Sequence, residues 1–126
     1  MFVGLFVTVP VAKATPASDA LFEKYKSEEA SSFDIERGKK DWHKEVKKED
    51  GQTQSCSTCH GSDLSKAGKH HKTQKIIEPM AASSNPARYT DEKKIEKWFK
   101  RNCNDTWGRE CTAQEKGDIL KYLLSL

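Results

Sequence analysis

The feature that most constrains this chain is the run Cys56-Ser57-Thr58-Cys59-His60. Two thiols three positions apart, followed at once by histidine, form the attachment signature of c-type haem. The spacing has a geometric reason. Each thiol adds to one vinyl group on the same edge of a porphyrin, and the next residue then brings its imidazole under the iron as proximal ligand. A chain that closes around a haem borrows much of its core from the cofactor. The composition suits that: 35% of the 126 residues are hydrophobic and 33% are charged. Such a chain has room for one domain and a thin core of its own, the kind that needs a disulfide, a metal or a cofactor as staple.

Other uses of the four cysteines fit less well. A zinc site asks for two close ligand pairs, and Cys103 and Cys111 are eight apart. A thioredoxin-type pair asks for a βαβ context, which the helical pattern lacks. Cys103 and Cys111 are left free to form a disulfide, which closes a loop worth ~2.5 kcal/mol in the chain-entropy account.

The first residues read as an address. Met1 to Ala12 are apolar apart from Thr8, and Ala12-Lys13-Ala14 supplies a small-x-small cleavage site. We expect a signal peptide over 1–14, cleaved after Ala14, and a domain over 15–126. The basic residues that usually lead such a run do not precede it here. A buried helix or strand is the structural alternative for the same stretch. Export would place the domain in an oxidising compartment, where disulfides persist. Charge adds little: 22 basic and 19 acidic residues give +3, which gives nucleic-acid binding no support. There is no run of 18 apolar residues that would span a membrane.

The remainder reads as all-α. A first helix is expected over Ser18 to Glu29, with Leu21, Phe22 and Tyr25 on one face. A second is expected over Ile35 to Val46, with Ile35, Gly38, Trp42 and Val46 in a stripe. Gly38 costs ~1 kcal/mol there against alanine, so its use is close packing. We expect that helix to cross the last one near Gly38, with Trp42 and Tyr122 beside the crossing. A third helix is expected over Asp91 to Arg101, capped by Thr90. The last opens on the capping box Thr112-Ala113-Gln114-Glu115 and carries Ile119, Leu120, Leu123 and Leu124. Lys48 to Tyr89 reads as one long polar loop, acceptable in a compact domain if it wraps a cofactor.

The sixth iron ligand decides the function. His/Met ligation makes an ordinary electron carrier. Met80 is the one methionine besides Met1, and it lies only 20 residues after His60. Bis-His ligation, by His43, His70 or His71, would make a structural or sensory haem module. His70 and His71 sit in the Lys-rich stretch KAGKHHKTQK and read first as solvated loop residues. His43 reads first as a surface residue.

Two further blocks carry a family resemblance. One runs from Lys69-His70 to Thr73 and on through Ile77-Glu78-Pro79-Met80-Ala81, Asn85-Pro86 and Arg88-Tyr89-Thr90-Asp91. The other runs from Ile95 to Cys103 and from Gly108-Arg109-Glu110-Cys111 to Asp118. With CSTCHG, over roughly residues 18 to 126, they resemble the sphaeroides haem protein (SHP) family of bacterial class I cytochromes c. The resemblance implies a single-domain class I cytochrome c fold around one covalent haem c, in the periplasm. It implies an asparagine as sixth ligand of the oxidised iron, beside a disulfide. The matching positions are Asn102, and Cys103 with Cys111. On reduction the asparagine leaves, and oxygen or nitric oxide can bind. The implied redox partners are a dihaem cytochrome c and a membrane cytochrome b. Oxygen or nitrogen-oxide chemistry at the haem is compatible with this resemblance.

An amide oxygen is a hard, weak ligand that suits ferric better than ferrous iron. Asn102 lies 42 residues after His60, just ahead of the last expected helix, which suits a ligand from the far side. The residues alone read Asn102 as a helix C-cap, with Asn104 as its neighbouring rival. If Asn102 ends a helix, a Cys103–Cys111 bond would tether it and set how far it swings.

Overall fold

The computed structural model describes residues 4–5, 14–28 and 30–126. The expected leader and its cleavage site fall largely outside the described residues. Five α-helices dominate: α1 Pro16–Ser27, α2 Ile35–His43, α3 Cys56–His60, α4 Glu92–Trp107 and α5 Ala113–Leu124. Two antiparallel two-stranded ribbons depart from the all-α expectation. They are β1 Val46–Lys47 with β2 Thr53–Gln54, and β3 Gly68–Lys69 with β4 Ile76–Ile77. Strands of two residues have no period to read, so no sequence pattern announces them.

Helix α1 starts two residues earlier than expected, because Thr15 caps it and Pro16 takes the first turn. Its expected last residue, Glu29, lies outside the described residues. Leu21 and Tyr25 are buried on its inner face. The Tyr25 hydroxyl donates to Glu96 of α4, which also accepts from Lys116 of α5 at 3.2 Å. One carboxylate thus joins three helices.

Helix α2 begins as expected, with Asp34 accepting from the Arg37 amide at 2.8 Å. It stops at His43 rather than Val46. Val46 is drawn away to pair with Gln54, so the chain turns directly into the residues ahead of Cys56. Gly38 allows the expected crossing: a Cβ there would lie 2.0 Å from the Asp118 carbonyl oxygen and 2.9 Å from the Tyr122 Cβ. Asp118 is buried under the same crossing, where it accepts from the Asp34 amide and the Arg37 guanidinium.

Helix α4 differs most from expectation. Asp91, not Thr90, caps it, and it passes Arg101 to end at Trp107. Thr90 instead closes a 3-10 turn over Pro86–Tyr89. The polar run Asn102-Cys103-Asn104-Asp105 looks like a stop, yet the buried stripe Ile95, Phe99, Cys103, Thr106 and Trp107 continues through it. Gly108, at φ +72°, ends the helix in the left-handed region. Helix α5 begins at Thr112 as expected, with Glu115 reaching back to the Thr112 amide at 2.9 Å.

The expected long loop is largely built. It holds β2, α3, the whole β3–β4 ribbon and the 3-10 turn, and it docks on the end of the chain. The amides of Ala82 and Ser83 donate to the carbonyls of Leu123 and Leu126. Among the described residues no helix is long and apolar enough to cross a membrane.

Candidate haem site

Helix α3 is one turn long, and its ends explain why it forms. Ser55 precedes it, donating its amide to Thr58 Oγ1 at 2.9 Å, and Gly61 at φ +78° closes it. The turn aligns Cys56 and Cys59 as half-buried free thiols and buries His60. Gly68 of β3 presses on the back of this turn. A Cβ there would lie 2.3 Å from the Cys59 carbonyl oxygen and 2.7 Å from the His60 Cα. The close approach fixes α3 against the chain that follows it.

Burial, and then the charge of Arg88, lowers the His60 pKa to about 4. The ring is therefore neutral at physiological pH, the form that ligates iron. Burial pushes the Cys56 thiol up to about 12, so it is a protonated thiol rather than a thiolate ligand for a free metal ion. Nδ1 of His60 is buried without a hydrogen-bond partner, and so are Nε1 of Trp42 and Nε1 of Trp107.

Aromatic walls surround the imidazole. The Trp42 and Trp98 rings lie 5.1 and 6.3 Å from it between centroids, and they stack on each other at 6.2 Å. Opposite α3 stands α4, whose Trp98, Asn102 and Thr106 fall on one face at four-residue spacing. Cys56, Cys59, His60 and Asn102 line one narrow crevice with Trp98 and Thr106. Asn102 donates from Nδ2 to the Trp98 carbonyl at 2.8 Å, and among the described residues none donates to its Oδ1. Two thiols on one turn, a neutral buried imidazole and an amide side chain, gathered against the Trp42 and Trp98 rings, fit a flat macrocycle held covalently at one edge.

The other candidates are placed differently. Met80 is buried, but it lines a separate cavity with Tyr89, Trp98 and Leu120 that contains neither thiol nor His60. Its main chain is also pinned: its amide donates to Leu64 and its carbonyl accepts from the Tyr89 hydroxyl. His43 is exposed at the end of α2. Asn104 points its Nδ2 back to the Lys100 carbonyl from an exposed position. Asn102 is not a helix cap, because α4 continues five residues beyond it. Cys103 and Cys111 form a disulfide with Cα atoms 5.7 Å apart. It backs onto a small cavity shared with Trp42, Cys56 and Asn102.

His70 departs from the solvated-loop reading. It is half-buried and lines the crevice, while His71 places Nδ1 3.3 Å from Cys59 Sγ. Trp42 and Trp98 also belong to the site. Their apolar stripes are legible in the sequence, but what those stripes face is not.

The chain is similar to known c-type cytochromes. A family model described as a domain of unknown function, DUF1924, matches residues 28–123. Cytochrome c-type protein SHP of Cereibacter sphaeroides is 51% identical over 71 residues, 56% of this chain and 54% of that protein. Cytochrome c'' of Methylophilus methylotrophus is 35% identical over 91 residues, 72% of this chain and 63% of that protein. The matched region thus spans about half to just under two thirds of these curated relatives' lengths. Among solved structures, that of oxidised SHP, an oxygen-binding cytochrome c, superposes with a TM-score of 0.75 at 38% identity, covering 84% of this chain and 94% of that one. That of oxidised cytochrome c'' superposes with a TM-score of 0.74 at 33% identity, covering 86% and 93%.

Proposed function

The chain belongs to the SHP family of c-type cytochromes and carries one covalent haem c, and from that premise we propose that it is a ligand-binding cytochrome whose sixth ligand, Asn102, is displaceable. Cys56 and Cys59 would hold the haem through thioethers, and the His60 imidazole would ligate its iron. The haem supplies a one-electron couple and a sixth coordination position. Everything else falls to the chain. Asn102 offers Oδ1 to the ferric state. Its hard amide oxygen would suit ferrous iron poorly, so with the haem reduced Asn102 would be the side chain to give way, and the crevice would admit oxygen or nitric oxide. The fold in this reading is a single class I cytochrome c domain over 15–126, exported to the periplasm behind a cleaved leader. Electrons come from other cytochromes, a dihaem cytochrome c or a membrane cytochrome b.

One observation carries this reading: Asn102 shares a crevice with His60 and both thiols, and Met80 lies in another cavity. An ordinary His/Met carrier needs the opposite arrangement.

The test is the absorption spectrum of the reduced protein with and without carbon monoxide. Uptake of carbon monoxide at low concentration is expected. A reduced spectrum that stays low-spin and unchanged under carbon monoxide would overturn the displaceable ligand. The attachment is tested separately, by extracting acid-denatured protein with organic solvent. The haem should stay with the chain.

A further inference from the structure

A second, polar cleft of about 800 Å³ opens beside the crevice. It lies between the β1–β2 turn, the end of α4 and the β3–β4 turn. Gln54, His70 and Asp105 line both spaces, so these three side chains form the partition between solvent and the crevice. The partition is held from outside by Lys48, whose Nζ donates to the Asp105 carbonyl at 2.7 Å.

His70 is fixed unusually firmly for a residue in a short turn. Its amide donates to the Lys75 carbonyl and its carbonyl accepts from the Gln74 amide, both at 2.9 Å. Gln74 closes the turn in the left-handed region, at φ +61°. The ring is fixed as well. Nδ1 accepts from the amides of both Lys72 and Thr73 at 3.2 Å, and the ring stacks on His71 at 5.0 Å. Because Nδ1 is an acceptor, the neutral ring must carry its proton on Nε2. A half-buried ring with its tautomer set by the backbone therefore carries an N–H donor on a residue that lines the crevice. The Asn102 amide spends one of its two N–H donors on Trp98.

We propose that His70 is the hydrogen-bond donor to a diatomic ligand that has taken the place of Asn102, and that it thereby favours oxygen over carbon monoxide. This rests on the displaceable-ligand reading above. The chemistry is that of unequal acceptors. Oxygen held by a ferrous centre draws negative charge and accepts a hydrogen bond strongly, whereas carbon monoxide stays nearly neutral. A donor fixed in advance acts without reorganising, which is where such a contact gains its effect. Loss of one hydrogen bond to a charged acceptor changes an equilibrium by about tenfold or more.

The experiment uses the haem-loaded full chain, reduced, with His70→Leu and His70→Gln each made alone and in an Asn102→Ala background. The background opens the sixth position whether or not Asn102 leaves by itself, so the two readings are judged apart. Oxygen and carbon monoxide dissociation rates and the carbon monoxide stretching frequency are measured. In His70→Leu we expect oxygen to dissociate about tenfold faster. Carbon monoxide should leave at nearly its original rate, and its stretch should move to higher frequency. His70→Gln, which keeps an N–H donor, should recover most of both effects. An unchanged oxygen to carbon monoxide ratio and an unmoved stretch in His70→Leu, in the Asn102→Ala background, would overturn the proposal. If only the parent chain fails to bind carbon monoxide, the displaceable-ligand reading falls, and a response to His70 in the Asn102→Ala background supports only the part of the proposal that places His70 beside the sixth position.

Discussion

Asn102, which lines the crevice, donates from Nδ2 to the main-chain carbonyl of Trp98, one helical turn earlier and 2.8 Å away, so Oδ1 is the end of the amide not used in that bond. The hydrogen bond orients the side chain along α4. It does not hold the side chain against a competing ligand, because a rotation about χ1 breaks one neutral contact worth ~1 kcal/mol. Asn102→Ala should therefore leave the fold intact and convert the ferric spectrum to high spin. Asn102→His should give a ferric low-spin state that persists on reduction and slows carbon monoxide uptake. Ferric bands unchanged in Asn102→Ala would show that another group holds the sixth position.

The disulfide follows a different logic from the one the sequence suggests. If Asn102 ended a helix, the Cys103–Cys111 bond would tether it. In the structure Asn102 is inside α4, and its restraint to Trp98 lies on the N-terminal side of Cys103. The bridge clips the last turn of α4 to the start of α5. Selective reduction should cost ~2.5 kcal/mol of stability from the eight-residue loop. It should leave the ferric spin state largely as it was. Denaturant unfolding of the thiol form, with its spectrum taken before unfolding, checks both. A large high-spin fraction in the folded thiol form would restore the tether.

Gly38→Ala should destabilise strongly, because the new Cβ would meet the Asp118 carbonyl 2.0 Å away and neither backbone can yield. Overpacking of this kind costs ~1–3 kcal/mol, and we expect the upper part of that range. That corresponds to a fall in Tm on the order of 10 °C. A Tm equal to that of the parent chain would mean that α2 and α5 do not meet at Gly38.

Glu96 should make stability depend on acid. Burial raises its pKa, but the hydrogen bond from Tyr25 and the charges of Lys116 and Lys24 outweigh it, and the net shift is downward from 4.5. A carboxylate held below its unfolded value stabilises fully above that value. The contribution is lost as pH falls through the folded pKa. Glu96→Gln should thus be less stable than the parent above about pH 5, and the difference should shrink progressively below pH 4. Thermal unfolding of both chains from pH 3 to 7 measures it. A difference independent of pH would mean that the carboxylate charge contributes nothing.

Much of the molecule was legible in the chain itself. CSTCH names its cofactor because the spacing of two thiols and an imidazole is dictated by covalent chemistry and not by packing. Thr112 and Glu115 mark the start of α5 because a capping box is satisfied within four residues. Gly38 announces a close crossing because a bare Cα on a buried stripe has little other use. All of these are local. Tertiary structure alone decided the rest. The polar run at Asn102 reads as a helix end until the buried positions of Cys103, Thr106 and Trp107 carry the helix past it. Met80 and Asn102 are both reasonable partners for His60 on the page. Only the tertiary approach of the Trp98 and Asn102 face of α4 to His60 and the two thiols puts one in the crevice and the other outside it. His70 looks like a solvated loop residue because the contacts that fix it come from its own turn's backbone, which no side-chain pattern records. Covalent attachment and capping are encoded within a few residues, while ligand choice depends on which distant surfaces burial brings together.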